Sequence, residues 1–259
     1  MRLDRFLSGQ TTLSRKEAQT AIRKGAVAVN GTVQRKPDAS VDPDEDSISL
    51  DGKPVQYQKY HYFLMHKPAG VLTACSDRRQ TTVLDLLAPE HRFPGLFPSG
   101  RLDLDTTGFL LITDDGALSH RMLSPKSHVT KYYLAQLRDP VEAYYETAFT
   151  EGLTLETHGE PEPCLPAQYA AIAPKIALLG LHEGKYHQVK RMFAALGNHV
   201  EQLQRIQIGN LPLPSDLAPG EYIVISDKEV SEMLKETIFQ TISTNCQQNH
   251  SSYWINNCL

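Results

Sequence analysis

The sequence predicts an α+β chain made of two units that differ in texture. Three observations support this. The first is a strongly basic stretch over residues 2–36 that carries helix and hairpin signals. The second is a series of strand-length apolar runs, separated by Gly and Pro, from Tyr60 to about Ile225. The third is a single clear helix signal among those runs, Met192-Phe193-Ala194-Ala195-Leu196, closed by Gly197-Asn198.

In chain order, Ser14-Arg15-Lys16-Glu17 reads as a capping box. Ala18, Ala21 and Ile22 recur at helical spacing until Gly25, which predicts a helix over about 14–24. Asn30-Gly31, set inside an alternating run from Val27 to Val33, is a hairpin signal because both turn residues need positive φ, and Asp51-Gly52 repeats it. Residues 2–36 hold Arg2, Arg5, Arg15, Lys16, Arg23, Lys24, Arg35 and Lys36 against Asp4 and Glu17 alone. Residues 37–52 reverse the sign, with Asp38, Asp42, Asp44, Glu45, Asp46 and Asp51 and no base. The whole-chain net charge of -4 therefore conceals a cationic module of the kind a phosphate backbone attracts. Asp42-x-Asp44-x-Asp46 imitates a calcium loop, but Ser47 replaces the required Gly and Lys53 the required Glu.

Strands are expected at Tyr62–Met65, Phe109–Ile112, Tyr132–Ala135 and Ile176–Leu179, and a short helix near Ser231 from the spacing of Val230, Met233 and Leu234. Residues 236–259 contain one charge, Glu236, and seven Asn or Gln, a composition that predicts a disordered tail. The expected units are thus 1–59, 60–230 and 231–259. An ordinary composition, 41% hydrophobic and 22% charged, excludes a fibre or a disordered chain. No apolar run approaches the roughly 20 residues that span a bilayer. Met1-Arg2-Leu3-Asp4-Arg5 places charges where a secretory signal carries its apolar core, so a cytoplasmic protein without a membrane partner is expected. Cys75, Cys164, Cys246 and Cys258 are too scattered for a zinc set and read as free thiols.

Two clusters carry chemistry. Gly100-Arg101-Leu102-Asp103-Leu104-Asp105-Thr106-Thr107-Gly108 is a turn-rich loop that runs into an apolar strand and presents an Arg and two carboxylates from a rigid support. Asp103 and Asp105 have a metal-like spacing, but no nearby His, Glu or Asn completes a hard-cation set. Asp105 beside Thr106 and Thr107 also reads as a turn cap. In His187-Gln188-Val189-Lys190-Arg191-Met192 a loop enters a helix, and Lys190 and Arg191 project about 100° apart, so only one faces a given carboxylate. In Lys131-Tyr132-Tyr133 the two tyrosines lie on opposite faces of a strand, one free to enter a cleft.

These motifs carry a family resemblance. Arg2-Leu3-Asp4-Arg5-Phe6-Leu7, Ser14-Arg15-Lys16-Glu17-Ala18 and Gly25-x-Val27-x-Val29-Asn30-Gly31 resemble the S4 RNA-binding domain. Tyr62-Phe63-Leu64-Met65-His66-Lys67-Pro68-Ala69-Gly70, Gly100-Arg101-Leu102-Asp103 with Asp105-Thr106-Thr107-Gly108, Lys131-x-Tyr133 and His187–Met192 resemble, in order, the RsuA branch of the RNA pseudouridine synthases. The resemblance implies an S4 domain joined to a catalytic domain with a mixed, mostly antiparallel sheet flanked by helices and loops. It implies isomerisation of a uridine in 16S ribosomal RNA, at position 516, without cofactor or metal. Asp103 would be the nucleophile, attacking either the uracil ring or the ribose anomeric carbon. Lys190 would pair with it, Tyr133 would stack on the target base with a hydroxyl available for proton transfer, and Arg101 would fill the gap or meet phosphate. Leu102, Thr107, Gly108, Lys131, His187, Gln188, Arg191 and Arg205 would line the substrate site. Arg2, Arg5, Arg15, Lys16, Arg23 and Lys24 would dock RNA. A monomer acting on ribosomal RNA, either free or as a small-subunit assembly intermediate with ribosomal proteins, is the expected working form. Three other readings are a 23S RNA isomerase of the same branch, a non-catalytic ribosome assembly factor and a metal-dependent phosphodiesterase using Asp103 and Asp105. The sequence departs from the branch at His66, where Asn is usual, at Gln202 and Gln204, where relatives carry Glu and His, and in the tail.

Overall fold

The computed structural model describes residues 1–157 and 159–255, with side chains as far as Asn249. Helices α1 (Leu3–Gln10) and α2 (Arg15–Lys24) open the chain. The Ser14 hydroxyl accepts from the Glu17 N–H at 3.3 Å while the Glu17 carboxylate accepts from the Ser14 N–H at 2.8 Å, so the capping box is closed in both directions. Gly25, at φ 82°, ends α2 in the left-handed region. Leu3, Phe6, Leu7, Ala18 and Ile22 form a small core with Val27 and Ile48 of the adjoining sheet. That sheet has the order β2 (Thr32–Val33), β1 (Val27–Val29), β3 (Ile48–Leu50), β4 (Lys53–Val55). Both predicted turns hold two consecutive positive-φ residues, Asn30 and Gly31 at 52° and 76°, Asp51 and Gly52 at 50° and 77°. The acidic run is turn chemistry: the Asp46 carboxylate accepts from the Asp42 N–H at 2.8 Å and from Asn30 Nδ2 at 2.7 Å.

Asp4 is fully buried and ties the two helices together. Its carboxylate accepts from Arg2 Nε and Nη2 at 3.1 and 3.0 Å, from Gln19 Nε2 at 2.9 Å and from Arg15 Nε at 3.4 Å. The Arg2 hydrogen bonds outweigh burial and hold this carboxyl well below the usual range. Arg2 and Arg15 thus each carry an internal ion pair, while Arg5, Lys16, Arg23 and Lys24 stand exposed on the helices.

The second unit is built on one mixed sheet. Its strands are β5 (Tyr62–Lys67), β6 (Phe97–Ser99), β7 (Thr107–Thr113), β8 (Lys131–Leu137), then the separate hairpin β9 (Thr154–Thr157) and β10 (Glu160–Pro163). β11 (Gln168–Ala173), β12 (Ile176–Leu181), β13 (Val200–Ile208), β14 (Leu211–Pro212) and β15 (Tyr222–Val224) complete it. The order is β11-β12-β8-β13-β7-β5-β15, with β6 beside β7 and β14 beside β13. Every pairing is antiparallel except β7 with β13. The four strands expected from apolar runs lie within β5, β7, β8 and β12, which are long because their buried runs have a protein layer on each side. One layer contains α4 (Tyr145–Glu151) and α5 (Gln188–Ala195), whose Tyr145, Phe149 and Phe193 cluster with Leu179. Elsewhere α3 (Gly116–Leu123) and α6 (Asp227–Met233) cover the sheet with Leu118, Met122 and Met233. The helix expected near Ser231 starts earlier, at a Ser226–Glu229 capping box.

One glycine allows a close approach. Gly108, at φ 105°, lies where β7 meets β13, and a Cβ there would stand 2.2 Å from the Arg205 carbonyl oxygen, so only Gly allows the parallel pairing. The tail corrects an expectation: Phe239–Ile255 is a helix, α7, not an unstructured segment. Phe239, Ile242 and Cys246 recur at spacings of three and four residues, a narrow stripe that packs on Tyr132, Leu178 and Ile172 of the sheet. The polar average of the tail hides that stripe. Among the described residues no helix is long and apolar enough to cross a membrane. Cys75, Cys164 and Cys246 form no disulfide among the described residues, and Cys258 lies outside them.

Candidate active site

The loop between β6 and β7 is fastened through its backbone. Arg205 Nη2 donates to the Gly100 carbonyl at 2.9 Å, and the Thr73 hydroxyl donates to the Leu102 carbonyl at 2.7 Å. Lys67 Nζ donates to the carbonyls of Leu104 at 3.2 Å and Thr106 at 3.0 Å, and to that of Pro68 at 2.9 Å. The Gly70 N–H also reaches the Leu104 carbonyl, at 2.8 Å. The carbonyls of 100, 102, 104 and 106 are therefore each held, and the Asp103 side chain lines a cavity. Lys67 has no solvent exposure. Burial pulls its ammonium down to about 8, against the opposing pull of Asp105 and Asp103.

The cavity is about 670 Å³, with Arg101, Leu102, Asp103, Tyr133, Lys131, His187 and Arg205 among its lining residues. A recess of about 80 Å³ adjoins it, sharing Arg101, Leu102, Asp103 and Tyr133 and adding the apolar walls Leu181, Val189 and Leu203. Tyr133 lines both, while Tyr132 is buried in the core, so the strand splits the two tyrosines as expected. Lys190, near the start of α5, places Nζ 3.3 Å from Asp103 Oδ2 and 2.5 Å from Asp105 Oδ1. It thus bridges two carboxylates, and Asp105 is the nearer. Burial pushes the Asp105 carboxyl up, but the hydrogen bond and charge of Lys190 outweigh it and hold the group below its ordinary value. Asp105 is 72% exposed and outside the cavity, whereas Asp103 is 25% exposed and within it. His187, at φ 48° as the N-cap of α5, stacks on Tyr186 and brings Nε2 to 3.5 Å from Asp103 Oδ1.

Other residues expected at the site occupy different places. Arg191 points away from Asp103: its Nη2 donates to Glu162 Oε2 at 2.8 Å and to the Glu156 carbonyl at 2.8 Å, pinning the β9–β10 hairpin. Only one of the adjacent cations faces the aspartates, as their helical offset requires. Gln188 lines the recess, but its amide is committed to Glu183 and to the Lys185 N–H. Thr107 and Gly108 are buried at the start of β7 and line neither space, whereas Thr106, which was not among the expected residues, lines the recess. Lys67 was also missed as a site residue. Its signal was a lysine directly following the apolar run Tyr62–Met65 and His66, a position that demands buried acceptors if the strand is buried throughout.

The departures at positions 66 and 204 meet each other. His66 Nδ1 lies 2.7 Å from the Leu217 carbonyl and Nε2 3.1 Å from Gln204 Nε2. Since the carbonyl only accepts, Nδ1 carries the proton and Nε2 accepts from the Gln204 amide. Burial lowers the pKa of this imidazole and favours its neutral form.

Comparison with known proteins follows this geometry. The family model described as RNA pseudouridylate synthase matches residues 61–195, and the S4 domain model matches residues 1–47. The chain is 44% identical over 235 residues to ribosomal small subunit pseudouridine synthase A of Vibrio cholerae, covering 91% of this chain and 100% of that one. It is 41% identical over 235 residues to the Escherichia coli protein of the same name, covering 90% and 100%. A solved structure described as a pseudouridylate synthase superposes with a TM-score of 0.62 at 39% identity, covering 90% of this chain and 99% of that one. The loop with its Asp103, the Lys-x-Tyr strand, the helix that supplies Lys190 and the two matched family models together place this chain in the RNA pseudouridine synthase family, as an RsuA-type isomerase with an S4 domain.

Proposed function

We propose that the protein converts one uridine of 16S ribosomal RNA, position 516, to pseudouridine, with Asp103 as nucleophile. The observation that carries this reading is the half-buried Asp103 carboxylate inside a cavity, 3.3 Å from Lys190 and walled by Tyr133. Near-complete alignment with synthases named for the ribosomal small subunit favours 16S RNA as substrate.

The chemistry asks little of external groups. An aspartate is ionised at neutral pH and attacks without a separate base. Lys190 orients it and supplies the countercharge. Asp103 bonds to the uracil ring or to the anomeric carbon, the bond from N1 to that carbon breaks, the uracil turns, C5 bonds to the same carbon and the bond to Asp103 breaks; the proton lost from C5 is balanced by one gained at N1, and no electrons are gained or lost. Chemistry on a stacked base requires extrusion at a cost of a few kcal/mol, which basic contacts such as Arg101 offset. Tyr133 offers a face on which the uracil stacks in the recess.

Mapping of pseudouridine by carbodiimide treatment and primer extension in cells lacking this protein tests the proposal. One 16S position is expected to lose its modification and to regain it with the wild-type chain but not with Asp103→Asn. An unchanged 16S pattern, or a change confined to 23S RNA, overturns the substrate.

Docking falls to the exposed bases of α1 and α2. Lys16 and Arg23 are seven residues apart and share a helix face, without the internal bonds that occupy Arg2 and Arg15. Reversing both charges is expected to weaken RNA binding and to lower the log–log salt slope by about 0.7–0.9 per lost phosphate contact. A slope equal to that of the wild type would move docking elsewhere.

A further inference from the structure

Lys131 and Arg205 both line the cavity, and neither is in an ion pair with a carboxylate among the described residues. Lys131 is only 4% exposed, and its Nζ has no hydrogen-bond partner among the described residues. Arg205 is 2% exposed, and both of its bonds, to the carbonyls of Phe109 and Gly100, go to neutral acceptors. Strand geometry brings the two together. Lys131 and Tyr133 share one face of β8, Arg205 sits opposite Tyr133 on β13, and all three line the cavity. Burial above all, with the Arg205 charge adding to it, brings the Lys131 ammonium down to about 8. An ammonium buried without an acceptor is unfavourable, and a second cation beside it makes it more so. The carboxylates that line the same cavity, Asp103 and Glu183, make no ion pair with either cation, so the Lys131 ammonium is left able to take an anionic acceptor.

The two spaces share Arg101, Leu102, Asp103 and Tyr133 among their lining residues and differ in part of the rest. The recess is walled by Leu181, Val189 and Leu203, surfaces suited to the faces of a base. The outer cavity has Lys131 and Arg205 in place of those three side chains. We propose that Lys131 and Arg205 form a seat for an RNA backbone phosphate adjoining the flipped nucleotide, so that the anion anchors the sugar while the base enters the recess beside Asp103. This rests on the reading that the substrate is RNA with an extruded uridine. The phosphate neutralises both cations, and the flexible stem of Lys131 lets its ammonium meet the anion. A phosphate on the 5′ side and one on the 3′ side share this chemistry.

The test is an NMR titration of the full chain with uridine, 5′-UMP and 3′-UMP, repeated with Lys131→Met and Lys131→Arg. One of the two nucleotides is expected to bind at least tenfold more tightly than uridine to the wild type, and its identity fixes which phosphate is held. The preference collapses to less than twofold in Lys131→Met and survives in Lys131→Arg. With ribosomal RNA, Lys131→Met raises KM at least fivefold with kcat within twofold. Its Tm is no lower than that of the wild type, because a methionine relieves a charge that has no partner. A lysine that only supports the fold gives the reverse, a lower Tm with KM unchanged, and overturns the proposal. So does a wild-type enzyme that isomerises RNA but binds neither nucleotide better than uridine. If the nucleotide preference is present but no ribosomal RNA is modified, the anion seat stands and the assigned substrate falls.

Discussion

Asp103→Asn is expected to lower kcat on ribosomal RNA by on the order of 10⁴-fold or more, the scale seen when a covalent nucleophile is removed. The amide is nearly isosteric, so RNA affinity stays within about twofold and the unfolding free energy within about 1 kcal/mol of the wild type. The informative control is Asp105→Asn. Asp105 is the closer partner of Lys190, at 2.5 Å against 3.3 Å, so distance alone ranks it ahead of Asp103. Exposure reverses the ranking: Asp105 is 72% exposed and an ion pair there contributes about 0–1 kcal/mol, so its loss costs at most about fivefold. Lys190→Met removes the charge that steadies both carboxylates and is expected to cost about 10²–10³-fold in kcat. Single-turnover assays on the three variants decide the assignment. Comparable losses for Asp103→Asn and Asp105→Asn would show that the two aspartates act as a pair and would sink the single-nucleophile reading.

The parts of this molecule that were legible in sequence are those where one local rule decides. The capping box at Ser14, the paired positive-φ turns at Asn30-Gly31 and Asp51-Gly52, and the apolar runs of β5, β7, β8 and β12 each depend on neighbours within a few residues. The opposite fates of Tyr132 and Tyr133, and of Lys190 and Arg191, follow from strand and helix periodicity. Three features depend on contacts distant in sequence and were not visible. The stripe of α7 has meaning only once the back of β12 needs covering. Arg2 and Arg15 counted as two free cations until Asp4 was found buried between them. His66 and Gln204 looked like two separate departures, yet they are 138 residues apart in sequence and 3.1 Å apart in space, so a change at one is matched at the other. Summed charge and motif order cannot report such pairings.

Lys67→Met is the second large effect, and it tests whether the catalytic loop is held or merely present. The substitution removes a fully buried ammonium and leaves the carbonyls of Pro68 and Thr106 without their donor, while the Leu104 carbonyl keeps the Gly70 N–H. Two opposing terms act on stability. Each orphaned carbonyl costs about 1–3 kcal/mol, and relief of a buried charge returns part of that. The net loss is therefore expected to be modest, about 1–3 kcal/mol by denaturant unfolding. Catalysis has no such compensation. With the Thr106 carbonyl released and the Leu104 carbonyl held by the Gly70 N–H alone, the loop from Leu104 to Thr106 relaxes, and Asp103 shifts relative to Tyr133 and Lys190. Misplacement of a reacting group by about 1 Å costs about 10²-fold, so kcat is expected to fall by that order with KM within about threefold. Thr73→Val, which frees the carbonyl and the N–H of Leu102 alone, is expected to give a loss of about tenfold or less on the same basis. The measurement is kcat and KM on ribosomal RNA beside denaturation curves for both variants. A Lys67→Met enzyme that keeps its kcat while losing stability would assign Lys67 to the fold alone and remove it from the account of how Asp103 is aimed.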